Sequence, residues 1–298
     1  MASVKWWDRV WNPWRGCTPC RRKCAACYNR APDSWFSRYG HDPSKVVRAS
    51  RATFRAPLRY PPGTVVAVCL LSDFFHESAD AWRDDAWDVM CRAVSRGVGP
   101  FVIPTSRPQR IVPLLHKEGK RARQPYGAFW GNIWFLCSIA DQADADELLP
   151  EFLKVPVGHL GVSHEPALGV VDFSPWLQIG RDCYPCADQR CEECGPHYDC
   201  RDRHIEWLIC GGCNHTGDPR WVMPIEAART DRDQARAAGI PFMFKGHGEW
   251  LHESQARFIC RPSAGRDGYH HVGSAAAGHL LDGREWRETP FPLMETET

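Results

Sequence analysis

No stretch of the 298 residues stays apolar for the length a bilayer span requires. The start, Met1-Ala2-Ser3-Val4-Lys5-Trp6-Trp7, lacks the apolar run of a secretory signal. Together these absences predict a cytoplasmic protein with no membrane partner. Net charge is nearly absent too, at +1. In that expected compartment the cysteines argue against a disulfide framework, because cytosolic glutathione and thioredoxin keep thiols reduced. The fifteen cysteines therefore point to metal ligation. Cys69, Cys91 and Cys137 are exceptions, since each falls in an apolar run and reads as a small core residue. With 43% hydrophobic and 24% charged residues the chain is ordinary globular material, long enough for one barrel-type domain or two small ones.

The near-zero charge conceals an asymmetry. Residues 1–60 carry 13 Lys and Arg against 3 Asp and Glu, and the remaining 238 carry 24 against 33. Within the basic part lie Cys17, Cys24 and Cys27, a C-x6-C-x2-C pattern that offers three thiolates from one loop without an obvious fourth. Structural zinc takes a closed set of four ligands. A 4Fe-4S cube held by three cysteines instead leaves one iron open to a cofactor or substrate. Cys20 lies between the first two and would complete a zinc site, so both readings stand on ligand count. Arg15, Arg21, Arg22, Lys23, Arg30, Arg48, Arg51, Arg55 and Arg59 would serve an anionic cluster or a nucleic-acid or nucleotide substrate, or form a solvated face.

Periodicity predicts alternating strands and helices. Apolar runs at Val65–Leu71, Phe101–Ile103, Ile133–Cys137, Val157–Val162, Trp207–Cys210 and Pro241–Phe244 read as strands, with one more before Gly16. Helical spacing marks Ala81–Val94, Gln109–His116, Ala143–Leu153 and Ile225–Ala238, the last closed by Gly239. About seven strands in βα order predict an α/β fold, a full or partial TIM-like barrel forming a single domain over 1–298.

Polar residues cluster where these strands end: Ser72-Asp73-Phe74-Phe75-His76, Thr105-Ser106-Arg107-Pro108, Ser138, Ser163-His164-Glu165-Pro166, Gly211-Gly212 and Lys245-Gly246-His247. In a βα barrel such ends converge on one mouth, which would place Asp73, Arg107, Glu165 and Lys245 beside the cysteine loop. Taken singly, each has a capping or turn explanation.

A second cysteine group, Cys183-x2-Cys186-x4-Cys191-x2-Cys194 followed by His197, Cys200 and His204, interrupts the pattern. Two C-x2-C knuckles are a metal signal. Residues 178–205 are therefore expected to form a cysteine-rich insertion folded by zinc, or by an auxiliary iron–sulfur cluster.

The elements Asn12-Pro13-x-x-Gly16-Cys17, Cys24-x-x-Cys27-Tyr28, Ser72–His76, Thr105-x-Arg107-Pro108, Ser163-x-Glu165-Pro166, Gly211-Gly212, Phe244-Lys245-x-x-Gly248-Glu249-Trp250 and Ala277-Gly278-x-Leu280-Leu281-Asp282-Gly283-Arg284 resemble a phage and bacterial three-cysteine-motif family. That family looks like a relative of the radical S-adenosylmethionine enzymes. The resemblance implies a partial TIM barrel, a 4Fe-4S cluster on Cys17, Cys24 and Cys27, S-adenosylmethionine as cofactor and an external electron donor. On that reading Gly211 and Gly212 admit the methionine moiety. Asp73 and Glu165, with Ser163 beside the latter, accept from its ammonium or ribose hydroxyls. Arg107 and Lys245 meet a carboxylate or substrate phosphate. Two non-radical readings remain: a zinc-dependent nucleic-acid-binding module without catalysis, and an accessory protein with a vestigial mouth.

Overall fold

The computed structural model describes residues 4–117, 129–177, 203–255 and 267–293. Seven strands form one parallel sheet in sequence order: β1 (Arg9–Trp11), β2 (Val66–Val68), β3 (Phe101–Thr105), β4 (Ile133–Ile139), β5 (His159–His164), β6 (Trp207–Gly211) and β7 (Phe242–Gly246). β1 and β7 are the two edges and do not pair with each other, so the sheet is a curled half-barrel and not a closed ring. Four longer helices lie in the connections: α1 (Asp80–Val94), α2 (Ile111–Lys117), α3 (Gln142–Phe152) and α4 (Ile225–Ala238).

Successive side chains of a strand point to opposite faces, and here both faces are covered. The outer face puts Val66, Val68, Phe101, Ile103, Ile133 and Phe135 against the helices, including Ala86, Trp87 and Met90 of α1. The inner face puts Ala67, Val102, Trp134, Leu136, Trp207, Ile209 and Met243 against Trp6, with Trp7, Phe291 and Leu293 packed on it. Burying a large apolar side chain of this kind contributes about 1.5–3 kcal/mol. Beyond β7 the chain returns: Phe244 N–H donates to the Trp286 carbonyl at 2.9 Å, and Met243 bridges Arg287 antiparallel. That segment covers an edge that would otherwise invite pairing with another chain.

Local signals set the ends of the elements. α3 begins where Asp141 accepts from Asp144 N–H at 3.0 Å, and α4 ends at Gly239 with φ 71°, the left-handed terminus glycine adopts without penalty. The expected strand Val65–Leu71 is shorter than its apolar run, because Cys69 takes φ 59° and turns the chain. The carbonyls of Leu70 and Leu71 then face outward and accept from Tyr28, Asn29 and Gly16 of the cysteine loop. Among the described residues no helix is long and apolar enough to cross a membrane.

Candidate functional site

The cysteine loop follows β1 and lies across the carboxyl ends of the neighbouring strands, where parallel α/β sheets build their sites. Its backbone is clasped by groups from several connections. Gly16 N–H donates to the Leu71 carbonyl at 2.9 Å, and Ser72 Oγ donates to the Gly16 carbonyl at 2.5 Å. Cys17 N–H donates to the Pro43 carbonyl at 2.8 Å, while the Cys17 carbonyl accepts from Arg30 at 2.9 Å. Thr18 meets His76 Nε2 through its N–H at 3.3 Å and its hydroxyl at 2.9 Å.

Arg107 ties this loop to the sheet. It is 3% exposed. It donates to Asp73 Oδ2 at 3.2 Å, to the Thr18 carbonyl at 2.9 Å and to Cys17 Sγ at 3.5 Å. Asp73 also accepts from Thr105 Oγ1 at 2.8 Å, Ser106 N–H at 2.9 Å and Phe75 N–H at 2.9 Å. Arg107 and Asp73 are thus a buried pair behind the loop. Arg107 offers its charge to a cysteine sulfur where the sequence suggested a substrate anion, and the Asp73 carboxylate is already filled by protein donors.

The thiols are not equivalent. Cys24 is held down to about 5, chiefly because the Cys20 thiol donates to its sulfur, with the N–H groups of Cys20 and Arg21 adding to this against the opposing effect of burial. Burial pushes Cys17 up to about 11, with Arg107 pulling the other way. Burial also raises Cys27. Lys23 is buried among Asp144, Cys137 and Cys24, and burial lowers its pKa. Three soft sulfurs with N–H donors aimed at them suit a thiolate-bound iron cluster or zinc. Three thiolates on one tetrahedral ion lie about 3.8 Å apart, given Zn–S bonds of about 2.3 Å. Among the described residues, however, the one set of three ligand atoms within 4.8 Å of one another is His164, Cys210 and Asp231.

That other set is closed to solvent. His164 Nδ1 lies 2.7 Å from Asp231 Oδ2 and Nε2 lies 3.2 Å from the Ala140 carbonyl, so both ring nitrogens are committed. The arrangement pins β5 to α4. His164, a residue the strand-end pattern had grouped with the mouth, belongs to this clamp.

The mouth cavity itself, of about 280 Å³, is lined by Trp7, Glu165, His215 and Lys245 and by the glycines Gly211, Gly212, Gly246, Gly248 and Gly278. It gathers four of the expected site residues. Lys245 Nζ pairs with Glu165 Oε1 at 2.8 Å, and Ser163 Oγ donates to Glu165 Oε2 at 2.8 Å. Lys245 Nζ also sits 5.7 Å from the centre of the Trp7 ring. Gly212 is demanded by the fold: a Cβ there would lie 2.0 Å from the His247 carbonyl oxygen. Asp33, just past the loop, meets His215 of the cavity wall at 3.0 Å, which joins the cavity to the cysteine segment. Cys213, after the double glycine, brings its sulfur 3.8 Å from the Ala26 carbonyl of the same loop.

Trp7, His215 and Gly278 were not among the sequence-derived candidates. Gly278 stood in the sequence only within the element Ala277–Arg284, and Trp7 and His215 carried no visible signal. Cys183, Cys186, Cys191 and Cys194, with His197 and Cys200, lie outside the described residues.

The chain belongs to the family described as Protein of unknown function (DUF5131), which it matches over residues 1–290. No curated protein and no solved structure matches it.

Proposed function

We propose that this protein is an iron–sulfur enzyme of the radical S-adenosylmethionine type, built on a partial TIM-like barrel. The observation that carries the reading is a loop with three thiols, clasped to the carboxyl ends of a parallel half-barrel, with N–H donors on its sulfurs and a polar cavity alongside. Cys17, Cys24 and Cys27 would hold three irons of a 4Fe-4S cluster. Arg107 and the loop N–H groups donate to their sulfurs, interactions that tune such a cluster. The cluster and S-adenosylmethionine, once bound, supply reducing electrons and 5′-deoxyadenosyl chemistry, with electrons delivered by an external donor.

The chain's own residues bind and orient. Glu165, fixed between Ser163 and Lys245, presents a carboxylate to the cofactor's ammonium or ribose hydroxyls. Lys245 is left to meet a carboxylate of the cofactor or an anionic group of the substrate. Gly211 keeps the space beside Glu165 and Lys245 open, since a Cβ there would lie 2.9 Å from Glu165 Oε1. Zinc is the proposed occupant of residues 178–205, on the strength of the two C-x2-C knuckles.

The test is metal analysis and product analysis on anaerobically purified protein. About four irons per chain are expected, with about one zinc. Cys24→Ala should abolish the iron and Cys20→Ala should spare it. Dithionite-reduced protein should release 5′-deoxyadenosine from S-adenosylmethionine. Equal iron loss in the two cysteine variants, or iron-replete protein that neither binds nor cleaves S-adenosylmethionine, sinks the proposal in favour of a zinc-dependent nucleic-acid-binding module.

A further inference from the structure

The wall formed by the segment after the cysteine loop is strongly basic. Residues 28–59 carry seven Lys and Arg against two Asp. Both acids are engaged, Asp33 with His215 at 3.0 Å and Asp42 with the Ser44 N–H at 2.8 Å. The same segment displays aromatic rings: Tyr28 is 47% exposed and Tyr39 64% exposed. Trp35 stacks on His41 with centroids 5.1 Å apart and planes 20° apart, Tyr39 leans on Trp35 at 5.1 Å, and Arg15 lies 5.4 Å over the Trp35 ring. The segment's later residues line a groove of about 550 Å³ formed by Arg48, Arg51, Arg55 and Arg92, with Asp85 and Asp88 also on it. Arg48 is paired with Asp85 at 2.6 Å. The wall is fastened to the metal loop, since Cys17 N–H donates to the Pro43 carbonyl and Arg15 pairs with Val47 in a short antiparallel ribbon.

We propose that this wall docks single-stranded nucleic acid, its phosphates in the arginine groove and its bases on the aromatic platform beside Cys17. Cationic grooves follow a phosphate backbone, and exposed rings stack only on bases freed from a duplex. A row of arginines beside rings stacked with cations matches the charge of a phosphate backbone and the faces of its bases together. The inference deepens the proposed function by naming its substrate class, a base carried on a polymer. Binding itself requires neither reductant nor S-adenosylmethionine.

The test is fluorescence anisotropy of a labelled single-stranded oligonucleotide with full-length protein, metal-loaded and metal-depleted. With about four phosphates contacted, affinity should fall about fiftyfold between about 50 and 200 mM salt. R51Q/R55Q should flatten the log–log salt slope by about 1.4. Tyr39→Ala should weaken single-strand binding about fivefold or more and leave inorganic polyphosphate binding unchanged. These side chains are exposed, and an unchanged thermal melt confirms that the variants fold. No binding at low salt in either metal state overturns the proposal. So does duplex bound as tightly as single strand with Tyr39→Ala silent. A missing cluster would overturn the radical reading and leave this result standing; loss of oligonucleotide binding with 5′-deoxyadenosine still released would do the reverse.

Discussion

Replacing Arg107 with methionine keeps the stem's volume and removes the guanidinium. The Asp73 carboxylate then stays buried without its counter-charge, and the Thr18 carbonyl and Cys17 sulfur each lose a donor. Breaking one side of a buried pair costs about 3–5 kcal/mol. Three donors remain on Asp73, from Thr105, Ser106 and Phe75, which places the loss at about 3 kcal/mol. With a urea dependence of about 3 kcal/mol per molar, the unfolding midpoint should drop by about 1 M. The double variant Asp73→Asn, Arg107→Met removes both charges and should recover a large part of that loss, giving a coupling energy above about 1 kcal/mol. Urea titration of the three variants followed by tryptophan fluorescence measures this. A single-variant drop below about 0.3 M, or strict additivity in the double variant, would show that the pair does not hold the loop.

Metal-free protein treated with iodoacetamide near pH 6.5 should be labelled first at Cys24, whose thiolate is present above about pH 5. Cys20→Ala removes the thiol that donates to it, so the labelling profile read by peptide mass spectrometry should move to higher pH. Gly212→Ala forces a methyl onto the His247 carbonyl and should lower stability by about 3 kcal/mol or abolish folding, whereas Gly40→Ala, which meets nothing within 4 Å, should cost about 1–2 kcal/mol for its positive φ. His247 is buried against the Leu280 carbonyl, and burial lowers its pKa from 6.5. The unfolded chain therefore takes up its proton first, so stability is full above about pH 6.5 and falls as the pH drops, by up to about 1.4 kcal/mol per pH unit. His247→Asn should flatten that acid limb in denaturation midpoints measured from pH 7 to pH 5.

The strands and helices of the sheet were readable because the signals for them are local. α4 spans Ile225–Ala238 as its periodicity and Gly239 predict, and the polar strand ends lie along one edge of the parallel sheet, with His164 turned away into its clamp with Asp231. What the sequence could not reveal depends on partners far along the chain. The apolar run after Val65 reads as strand to Leu71, yet its last carbonyls are taken by a loop forty or more positions away. Arg107 and Lys245 look alike as strand-end cations. Packing makes the first an internal support for Cys17 and leaves the second at the cavity, and no spacing rule separates those outcomes. The glycine pair reads as room for a ligand, but a chain crossing at His247 already fixes the need for Gly212.

The carbonyls of Gly16, Cys17 and Thr18 are each taken by a side chain from a different part of the chain. In a zinc finger the polypeptide has no such backing, and loading the ion is the folding event. On the proposed reading, being folded and being loaded are separate variables here. The loop would be held by polypeptide contacts alone, so a cluster would be inserted last, and stripping it with oxygen or a chelator would leave the surrounding sheet standing.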